Sequence, residues 1–436
     1  MKKKSMHRII IKNFGPISNI DLEISDFQVF IGTQASGKST IAKSIYFFRS
    51  LRDDLIRYVY DLIDKRTIAK PLGTYSSILR TKFMGIWGTT HHLSEIYLQF
   101  FYTDEIWIKV TLEKHNKYIN PEFSKKFVDG FSSIVNEAKR FNEGISQKKL
   151  SYMSSKDLLT IESEKRTFIT LIESLSNKLF NIDYDVIFIP AGRSLLSTLS
   201  EQLQNIQTKK IDLLMRDFLF RISNTRELYT KSIRDFIIEK RLLHNVEVDK
   251  DISELATTLI TDILKGYYKY DKDGEKIYID KNRYVKLNYS SSGQQESVWI
   301  LHLVFNLLIE NKKSYVVIEE PEAHLYPTAQ KSIIEFISLL FNNQNNKILI
   351  TTHSPYILGA LNTLIYAHNQ GAKNPEAVNR RINKKLWLDH NKLGVYMLKQ
   401  GKVISIVDSE LKLIQNEMID EASRIINDDF DYLDSL

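Results

Sequence analysis

One short segment constrains the fold of this chain more than any other. Residues 32–40 read Gly-Thr-Gln-Ala-Ser-Gly-Lys-Ser-Thr and fit the pattern G-x-x-x-x-G-K-[ST] in full. The apolar run before it predicts a buried strand, and apolar residues at helical spacing after it predict a helix. In that setting the glycines let backbone N–H groups converge on phosphate oxygens, and the helix N-terminus favours negative charge. We therefore predict nucleoside triphosphate binding, with Lys38 on the β- and γ-phosphates and the Ser39 hydroxyl on Mg²⁺. The residues expected to contact the nucleotide are Gly32, Gln34, Ala35, Ser36, Gly37, Lys38, Ser39 and Thr40.

Two carboxylates follow a second predicted strand. The strand covers residues 315–318, and Glu319 and Glu320 come at its carboxyl end, where open α/β sheets bind ligands. Paired acids can simply reflect a helix N-terminus, but the preceding phosphate loop favours catalysis. We expect Glu319 to hold Mg²⁺ directly or through water, and Glu320 to orient and polarise the attacking water. Glu322 and His324 come next, and His324 could contact a partner subunit or cap a turn.

Two further segments complete the set of motifs. The loop 290–296 reads Ser-Ser-Ser-Gly-Gln-Gln-Glu and precedes an apolar helical run over 298–309. By itself it would be an N-capped helix, but its position shortly before the acidic strand favours an anion site. The segment 347–355 reads Lys-Ile-Leu-Ile-Thr-Thr-His-Ser-Pro, a strand that delivers His353 at its end. We expect His353 to hydrogen-bond the γ-phosphate and to sense its loss.

Composition excludes several classes of protein. The 436 residues include no cysteine, which excludes a disulfide-stapled module, a cysteine-ligated metal site and a thiol nucleophile. The hydrophobic fraction of 43% argues against disorder. No apolar run approaches the ~20 residues of a membrane span, and no signal peptide follows the basic start. We expect a cytoplasmic protein without a membrane partner.

The charge of the chain is modestly basic and unevenly distributed. Sixty Lys and Arg residues against 53 Asp and Glu residues give a net charge of +7. A basic surface could serve phosphates or nucleic acid, or be merely solvated. Residues 401–436 reverse the balance, with three basic and nine acidic side chains. We expect this tail to be solvated or to dock a partner.

Apolar periodicity divides the chain into segments. It predicts two N-terminal strands, a hairpin turned at residues 103–104, a helical stretch over 121–179, a strand over 185–189 and a second helical stretch over 197–264. The predicted segments are 1–112, an N-terminal lobe with the phosphate loop; 113–284, a mainly helical insertion with the core strand near 185–189; 285–370, a C-terminal lobe with the remaining motifs; and 371–436, an extension with the acidic tail.

The four motifs, in this order, resemble those of ABC-type ATPase heads of the non-transporter branch, which includes the SMC, RecF and OLD ATPases. The start IIIKNFGPISNIDLEI resembles the N-terminal hairpin of that branch, and IEEPEAHLYP resembles the Walker B region of OLD-like ATPases. SSSGQQE resembles a variant ABC signature, and TTHSPYIL resembles their His-switch segment. IPAGRS and GKVISIVD are similar to stretches of ATPases from bacterial anti-phage loci. The resemblance implies an α/β fold, with an N-terminal antiparallel β subdomain, a parallel-sheet core that carries the phosphate loop, and a mostly helical insertion.

The resemblance also implies an assembly. ABC-type heads sandwich two ATP molecules between two subunits, so a homodimer or higher oligomer of heads with ATP and Mg²⁺ is expected. Ser291, Gly293 and Gln294 would then act in trans on a γ-phosphate held by Lys38. The catalytic set would be Lys38, Glu320 and His353.

Four positions either depart from the family pattern or leave alternatives open. Ser292 replaces the usual first glycine of the signature, and Glu319 replaces the more common Walker B aspartate. Gln99 is a candidate for the Q-loop glutamine, and a plain surface glutamine is the alternative. Arg193 could face phosphate or a partner, or do neither.

The favoured functional hypothesis is an ATPase of bacterial anti-phage defence that controls a separately encoded effector, a nuclease of the Toprim or HNH type. The alternatives are a RecF- or SMC-like ATPase that binds DNA in repair or recombination, and a scaffold that binds ATP with negligible turnover. The presence of Glu320 and His353 counts against the scaffold. Intrinsic nuclease activity is not expected, because no strand-borne Asp-x-Asp follows the histidine loop and Asn391 beside His390 does not complete an HNH pattern.

Overall fold

The computed structural model describes most of the chain, and the bounds below refer to that part. The residues described are 7–64, 70–90, 95–112, 118–149, 155–199, 211–230, 235, 237–239, 242, 249–415 and 421–434. The strands are β1 (Arg8–Phe14), β2 (Ile17–Glu23), β3 (Phe27–Gly32), β4 (Ile96–Phe101), β5 (Trp107–Leu112), β6 (Asn120–Phe123), β7 (Asp185–Ile189), β8 (Tyr267–Asp271), β9 (Gly274–Tyr278), β10 (Tyr284–Lys286), β11 (Ser314–Glu319), β12 (Lys347–Thr352), β13 (Leu393–Lys399), β14 (Lys402–Ser405), β15 (Val407–Asp408) and β16 (Leu413–Ile414).

Helices account for most of the remaining described residues. The α-helices are α1 (Lys38–Asp64), α2 (Pro71–Trp87), α3 (Lys125–Lys149), α4 (Ser155–Phe180), α5 (Ser194–Leu199), α6 (Leu213–Arg226), α7 (Lys250–Leu264), α8 (Ser292–Glu310), α9 (Pro327–Asn342), α10 (Pro355–Gly371), α11 (Pro375–Arg381) and α12 (Glu421–Asp434). In the described parts of the chain, no helix combines the length and apolarity needed to cross a membrane.

The chain forms two compact units. The first comprises Met1–Ile24, Thr40–Val186 and Gln400–Lys402. Its sheet has the order β2-β1-β4-β5-β6, and every neighbouring pair is antiparallel. Aromatic rings fill its interior. The ring centroid of Phe47 lies 6.0 Å from that of Phe83 and 5.7 Å from that of Trp87. Burying rings of this size stabilises the unit by roughly 1.5–3 kcal/mol per side chain.

The second unit comprises Ser25–Ser39, Ile187–Lys399 and Val403–Leu436. Its main sheet has the order β14-β13-β3-β12-β11-β7. Within this order, β13, β3, β12 and β11 run parallel to one another. They read as nearly continuous apolar runs, as expected for strands that are covered on both faces. In this register Glu319 lies opposite Thr351, and Thr352 lies opposite Ile31. The carboxyl ends of β3, β12 and β11 therefore meet at one edge of the sheet.

The predicted fold class is confirmed. The chain combines an N-terminal antiparallel sheet, a parallel sheet that carries the phosphate loop, and many helices. The predicted hairpin at residues 103–104 is β4 and β5, and the predicted core strand is β7.

One sequence expectation differs from the structure. The helical stretch predicted from residue 121 opens with strand β6, whose Pro121 pairs with Val110. Cross-strand pairing outweighs the helical periodicity at this point. The stretch predicted over 197–264 contains α6 and α7, and residues 200–210 within it lie outside the described residues.

The C-terminal segment contributes to the main sheet. Strand β13 lies beyond residue 370, yet it pairs with β3, and Val395 lies opposite Val29. The segment predicted as an extension thus supplies a central strand, although the four predicted boundaries stay a prediction. The described side chains of the acidic tail, residues 427–434 of α12, are exposed.

Candidate active site

The phosphate loop connects β3 to the N-terminus of α1, as predicted. Gly37 has a φ of 103° and Ala35 a φ of 60°, both in the left-handed region. A Cβ atom at Gly32 would lie 2.6 Å from the carbonyl oxygen of Leu398, so no larger residue fits there. Ala35 is exposed, and the Ser36 hydroxyl is buried without a hydrogen-bond partner in the described protein. This loop has the form of a phosphate cradle.

Lys38 lies at the centre of the site. Its Nζ donates hydrogen bonds to the carbonyl oxygens of Gly32 at 2.9 Å and Thr33 at 2.8 Å. The same Nζ lies 3.2 Å from His353 Nδ1. Burial lowers the pKa of Lys38 to about 8, against the opposing attraction of Glu320 and Glu322. The ammonium thus lies in the loop that the sequence assigns to phosphate.

Glu320 and His353 meet at the edge of the sheet. Glu320 Oε1 lies 2.8 Å from His353 Nε2, and both side chains are about one third exposed, at 35% and 36%. A neutral imidazole with the proton on Nε2 satisfies both contacts, because it donates to Glu320 and accepts from Lys38 through Nδ1. Three residues that the sequence assigned to catalysis therefore form one hydrogen-bonded chain, Lys38–His353–Glu320.

Glu319 is the last residue of β11 and is only 4% exposed. Its Oε2 accepts a hydrogen bond of 3.4 Å from the backbone N–H of Ala191. Mg²⁺ in nucleotide sites is commonly held by one or two carboxylates together with substrate phosphates and water. In the described residues no cluster of three or more His, Asp or Glu side chains could hold a metal ion. The assignment of Mg²⁺ to Glu319 and Ser39 stays a prediction.

Glu322 holds the histidine loop in place. Its buried carboxylate accepts hydrogen bonds from Thr352 Oγ1 at 2.6 Å and from the backbone N–H of His353 at 2.8 Å. Burial raises the pKa of Glu322, and the two hydrogen bonds act in the opposite direction. The sequence marked Glu322 only as a neighbour of the acidic pair, whereas the structure gives it a defined structural contact.

Of the alternatives left open for Arg193, the structure agrees with the last, in which it faces neither phosphate nor a partner. The side chain is completely buried beneath the acidic turn. Its Nη1 donates to the carbonyl oxygen of Glu319 at 2.7 Å, and its Nη2 donates to that of Glu320 at 2.9 Å. The only feature of the sequence that pointed to Arg193 was its position shortly after the predicted strand, β7.

The signature loop begins α8. Ser291 is the N-cap, and its hydroxyl accepts from the backbone N–H of Gln294 while Gln294 Oε1 accepts from the backbone N–H of Ser291. Gln294 Nε2 donates to the carbonyl oxygen of Leu264 at 2.7 Å. A Cβ atom at Gly293 would lie 2.8 Å from the carbonyl oxygen of His324, which explains the glycine. Within the described chain, no hydrogen bond connects Ser291, Gly293 or Gln294 to the phosphate loop.

Gln99 is not a surface residue. It lies in β4, is only 9% exposed and accepts a hydrogen bond from the hydroxyl of Tyr97. Its assignment to the Q-loop stays a prediction.

The fold and this constellation of residues define a P-loop ATPase. Residues 5–358 match the family model described as AAA ATPase domain, and the chain belongs to that family. Among curated proteins, protein ea59 of Escherichia phage lambda is 23% identical over 147 residues, which is 32% of this chain. The chain spans a quarter of the length of that protein, 25%.

Solved structures of SMC heads are also similar. An SMC head bound to the C-terminal winged-helix domain of ScpA has 11% identity and a TM-score of 0.44, over 94% of this chain and 100% of that one. The SMC head domain from Thermotoga maritima has 11% identity and a TM-score of 0.37, over 92% and 98%. These TM-scores are too low to carry an assignment.

Proposed function

We propose that the chain hydrolyses ATP with Mg²⁺ at the edge of its parallel sheet. The hydrogen-bonded chain Lys38–His353–Glu320 supports this proposal most directly. It brings together a cation from the phosphate loop, an imidazole and a carboxylate, and such groups can bind phosphate and position an attacking water. The geometry of Gly37 and the helix N-terminus of α1 support phosphate binding on the same side.

The side chains have separate tasks in this proposal. Glu320 orients the attacking water and accepts its proton, and His353 fixes the Glu320 carboxylate through Nε2. Lys38 exchanges its loop carbonyls for phosphate oxygens. Ser39 and Glu319 would hold Mg²⁺, which when bound offsets the negative charge that builds on the phosphates.

Glu320 and Lys38 have different tasks, so measuring turnover and nucleotide binding separately tests each of them. Glu320→Gln should keep ATP binding and lower kcat by roughly 10²–10⁴-fold, because the amide cannot accept the proton. Lys38→Ala should abolish nucleotide binding. Isothermal titration with a non-hydrolysable analogue and a phosphate-release assay measure the two quantities.

A matched control comes from α9. Glu335→Gln neutralises a glutamate that pairs with Lys331, away from the four motifs. It should hydrolyse ATP at the wild-type rate. Wild-type turnover in Glu320→Gln would contradict the assignment of the base.

The wider proposal is that paired heads of this chain control a separately encoded effector in bacterial anti-phage defence. It is supported by the resemblance of IPAGRS and GKVISIVD to ATPases of such loci. In trans, the exposed Ser291 would reach the γ-phosphate of the other subunit. Cells that carry the chain with its neighbouring reading frame should then resist phage, and Lys38→Ala should abolish the resistance. Equal plaque counts with and without the intact locus would contradict the defence role.

The alternative is a RecF- or SMC-like ATPase that binds DNA, for which the net charge of +7 is the favouring observation. DNA binding would appear as an ATP-dependent mobility shift that weakens steeply with salt.

A further inference from the structure

Arg193 uses its guanidinium to connect three parts of the chain. Nη1 donates to the carbonyl oxygens of Pro190 at 2.6 Å and Glu319 at 2.7 Å. Nη2 donates to the carbonyl oxygen of Glu320 at 2.9 Å, and Nε donates to that of Glu296 at 3.1 Å. Four hydrogen bonds from one buried side chain therefore join the end of β7, the end of β11 and the first turns of α8.

Glu296 completes the connection from the other side. Its Oε2 accepts from the backbone N–H of Arg193 at 3.1 Å, and its Oε1 accepts from that of Ser194 at 3.0 Å. The carboxylate also lies 3.2 Å from Arg193 Nε, with the two side chains 0% and 3% exposed. Glu296 belongs to α8, the helix that begins with the signature loop.

The backbone at Glu320 needs such support. Its φ is 44°, a left-handed conformation that a non-glycine residue adopts only when the surrounding structure enforces it. Its N–H donates to the carbonyl oxygen of Thr351 at 2.9 Å, and its carbonyl accepts from Arg193. Both sides of the residue are thus held, and the side chain is aimed at His353.

We infer that Arg193 and Glu296 form a positioning pair, which fixes the Glu320 backbone and links it mechanically to the signature helix. The inference rests on the proposed hydrolytic role of Glu320 and deepens it. Arg193 is completely buried, so it acts as a positioning residue. It acts by holding the carbonyl oxygens of Glu319 and Glu320 in register with α8, so that a shift of the signature helix is transmitted to the catalytic carboxylate.

Arg193→Lys tests the pair, because lysine keeps the charge but lacks the planar fork that reaches several carbonyls at once. In the full-length variant, the rate constant of single-turnover hydrolysis should fall by about tenfold or more. The Kd for a non-hydrolysable ATP analogue should stay within about twofold of the wild-type value. The matched control is Arg226→Lys, which alters another buried ion pair of the same unit, Arg226–Glu275 at 2.8 Å. It should lower Tm without changing kcat.

A double variant separates positioning from simple loss of stability. If Arg193 acts through Glu320, adding Arg193→Lys to Glu320→Gln should lower the residual rate no further. Multiplicative losses would overturn the inference, as would an unchanged kcat in Arg193→Lys. Should Arg193→Lys not fold, Glu296→Gln serves as the second variant, since it leaves the arginine in place, and the same non-additivity with Glu320→Gln is expected. A wild-type protein without turnover overturns both the proposed function and the inference, whereas normal turnover with an insensitive Arg193 overturns the inference alone.

Discussion

At the scale of single residues, the turn after β11 contains two unusual backbone conformations. Glu320 has a φ of 44° and His324 a φ of 60°, both within the turn after β11. Left-handed non-glycine residues cost about 1–3 kcal/mol each and persist where neighbours over-determine them. Here the neighbours are Arg193, which holds the Glu320 carbonyl, and Gly293, which packs against the His324 carbonyl. The strain therefore lies where the proposed chemistry needs a fixed carboxylate.

A buried histidine gives a residue-scale prediction about acid stability. His302 lies in α8 and stacks on Tyr229 at 3.9 Å, and burial lowers its pKa to about 3. An unfolded chain protonates this imidazole below about pH 6.5, whereas the folded chain does so only near its own lower pKa. Between these values the unfolded state binds more protons, so acid lowers the free energy of unfolding, by up to about 1.4 kcal/mol per pH unit from this group.

His302→Phe keeps a ring against Tyr229 and cannot titrate. Its free energy of unfolding should therefore fall less steeply than that of the wild type between pH 6 and pH 4. Urea denaturation at several pH values gives the two slopes, and comparing slopes removes the constant effect of the changed packing. Parallel slopes would show that His302 is protonated in the folded protein.

At the scale of elements, the N-terminus of α8 has one observed role, capping, and one predicted role, a contact with phosphate. Ser291 and Gln294 form a reciprocal cap that stabilises the helix. Ser291 is also exposed, as a group that contacts a phosphate on another subunit must be. Gln294 differs, since its amide is already bonded to Leu264 and to the cap. The cap explains the local sequence, and the trans contact stays a prediction.

Substitutions at Ser291 distinguish these roles. Ser291→Ala removes the cap and should cost about 1 kcal/mol of stability. Ser291→Asp keeps a capping oxygen, so Tm should stay near the wild-type value, but the added negative charge would repel a γ-phosphate and lower turnover. Thermal denaturation and phosphate release measure the two effects. A Ser291→Asp protein that hydrolyses ATP at the wild-type rate would rule out the phosphate contact.

At the scale of the whole molecule, the predicted site residues belong to the second compact unit, except Thr40 and the Q-loop candidate Gln99, which belong to the first. The described chain carries one phosphate loop and one signature loop, with no hydrogen bond between them. In the arrangement that the ABC-type resemblance implies, the signature loop of a second copy would face this phosphate loop. Binding energy of ATP can drive this assembly only if the paired state binds ATP more tightly than the single chain does.

The expected assembly can be measured directly. Glu320→Gln with ATP and Mg²⁺ should sediment near twice the 50.9 kDa mass of one chain, because ATP persists at the interface. The same protein without nucleotide should be smaller, and Lys38→Ala should not respond to ATP. Analytical ultracentrifugation gives the masses. An unchanged mass with saturating ATP would count against paired heads.

Much of the site was predictable because its motifs are local. Lys38, Glu320 and His353 each follow a strand of a parallel sheet, and parallel strands end at a common edge. The three side chains are therefore expected to lie close together, because each follows the end of a parallel strand. Arg193 was not predictable in its role, because its partners Glu319 and Glu320 are more than a hundred residues away along the chain. The residues near Arg193 in the sequence do not show whether its guanidinium binds buried backbone carbonyls or a phosphate.

The sequence by itself determined the phosphate loop, the strands that precede each motif and the α/β class, because glycine spacing and apolar periodicity act over a few residues. Only the tertiary structure decided that β13 pairs with β3, that Glu322 holds the histidine loop and that Arg193 supports Glu320. These features depend on which strands become neighbours. That choice arises from burial of the whole sheet and is not encoded in any single segment.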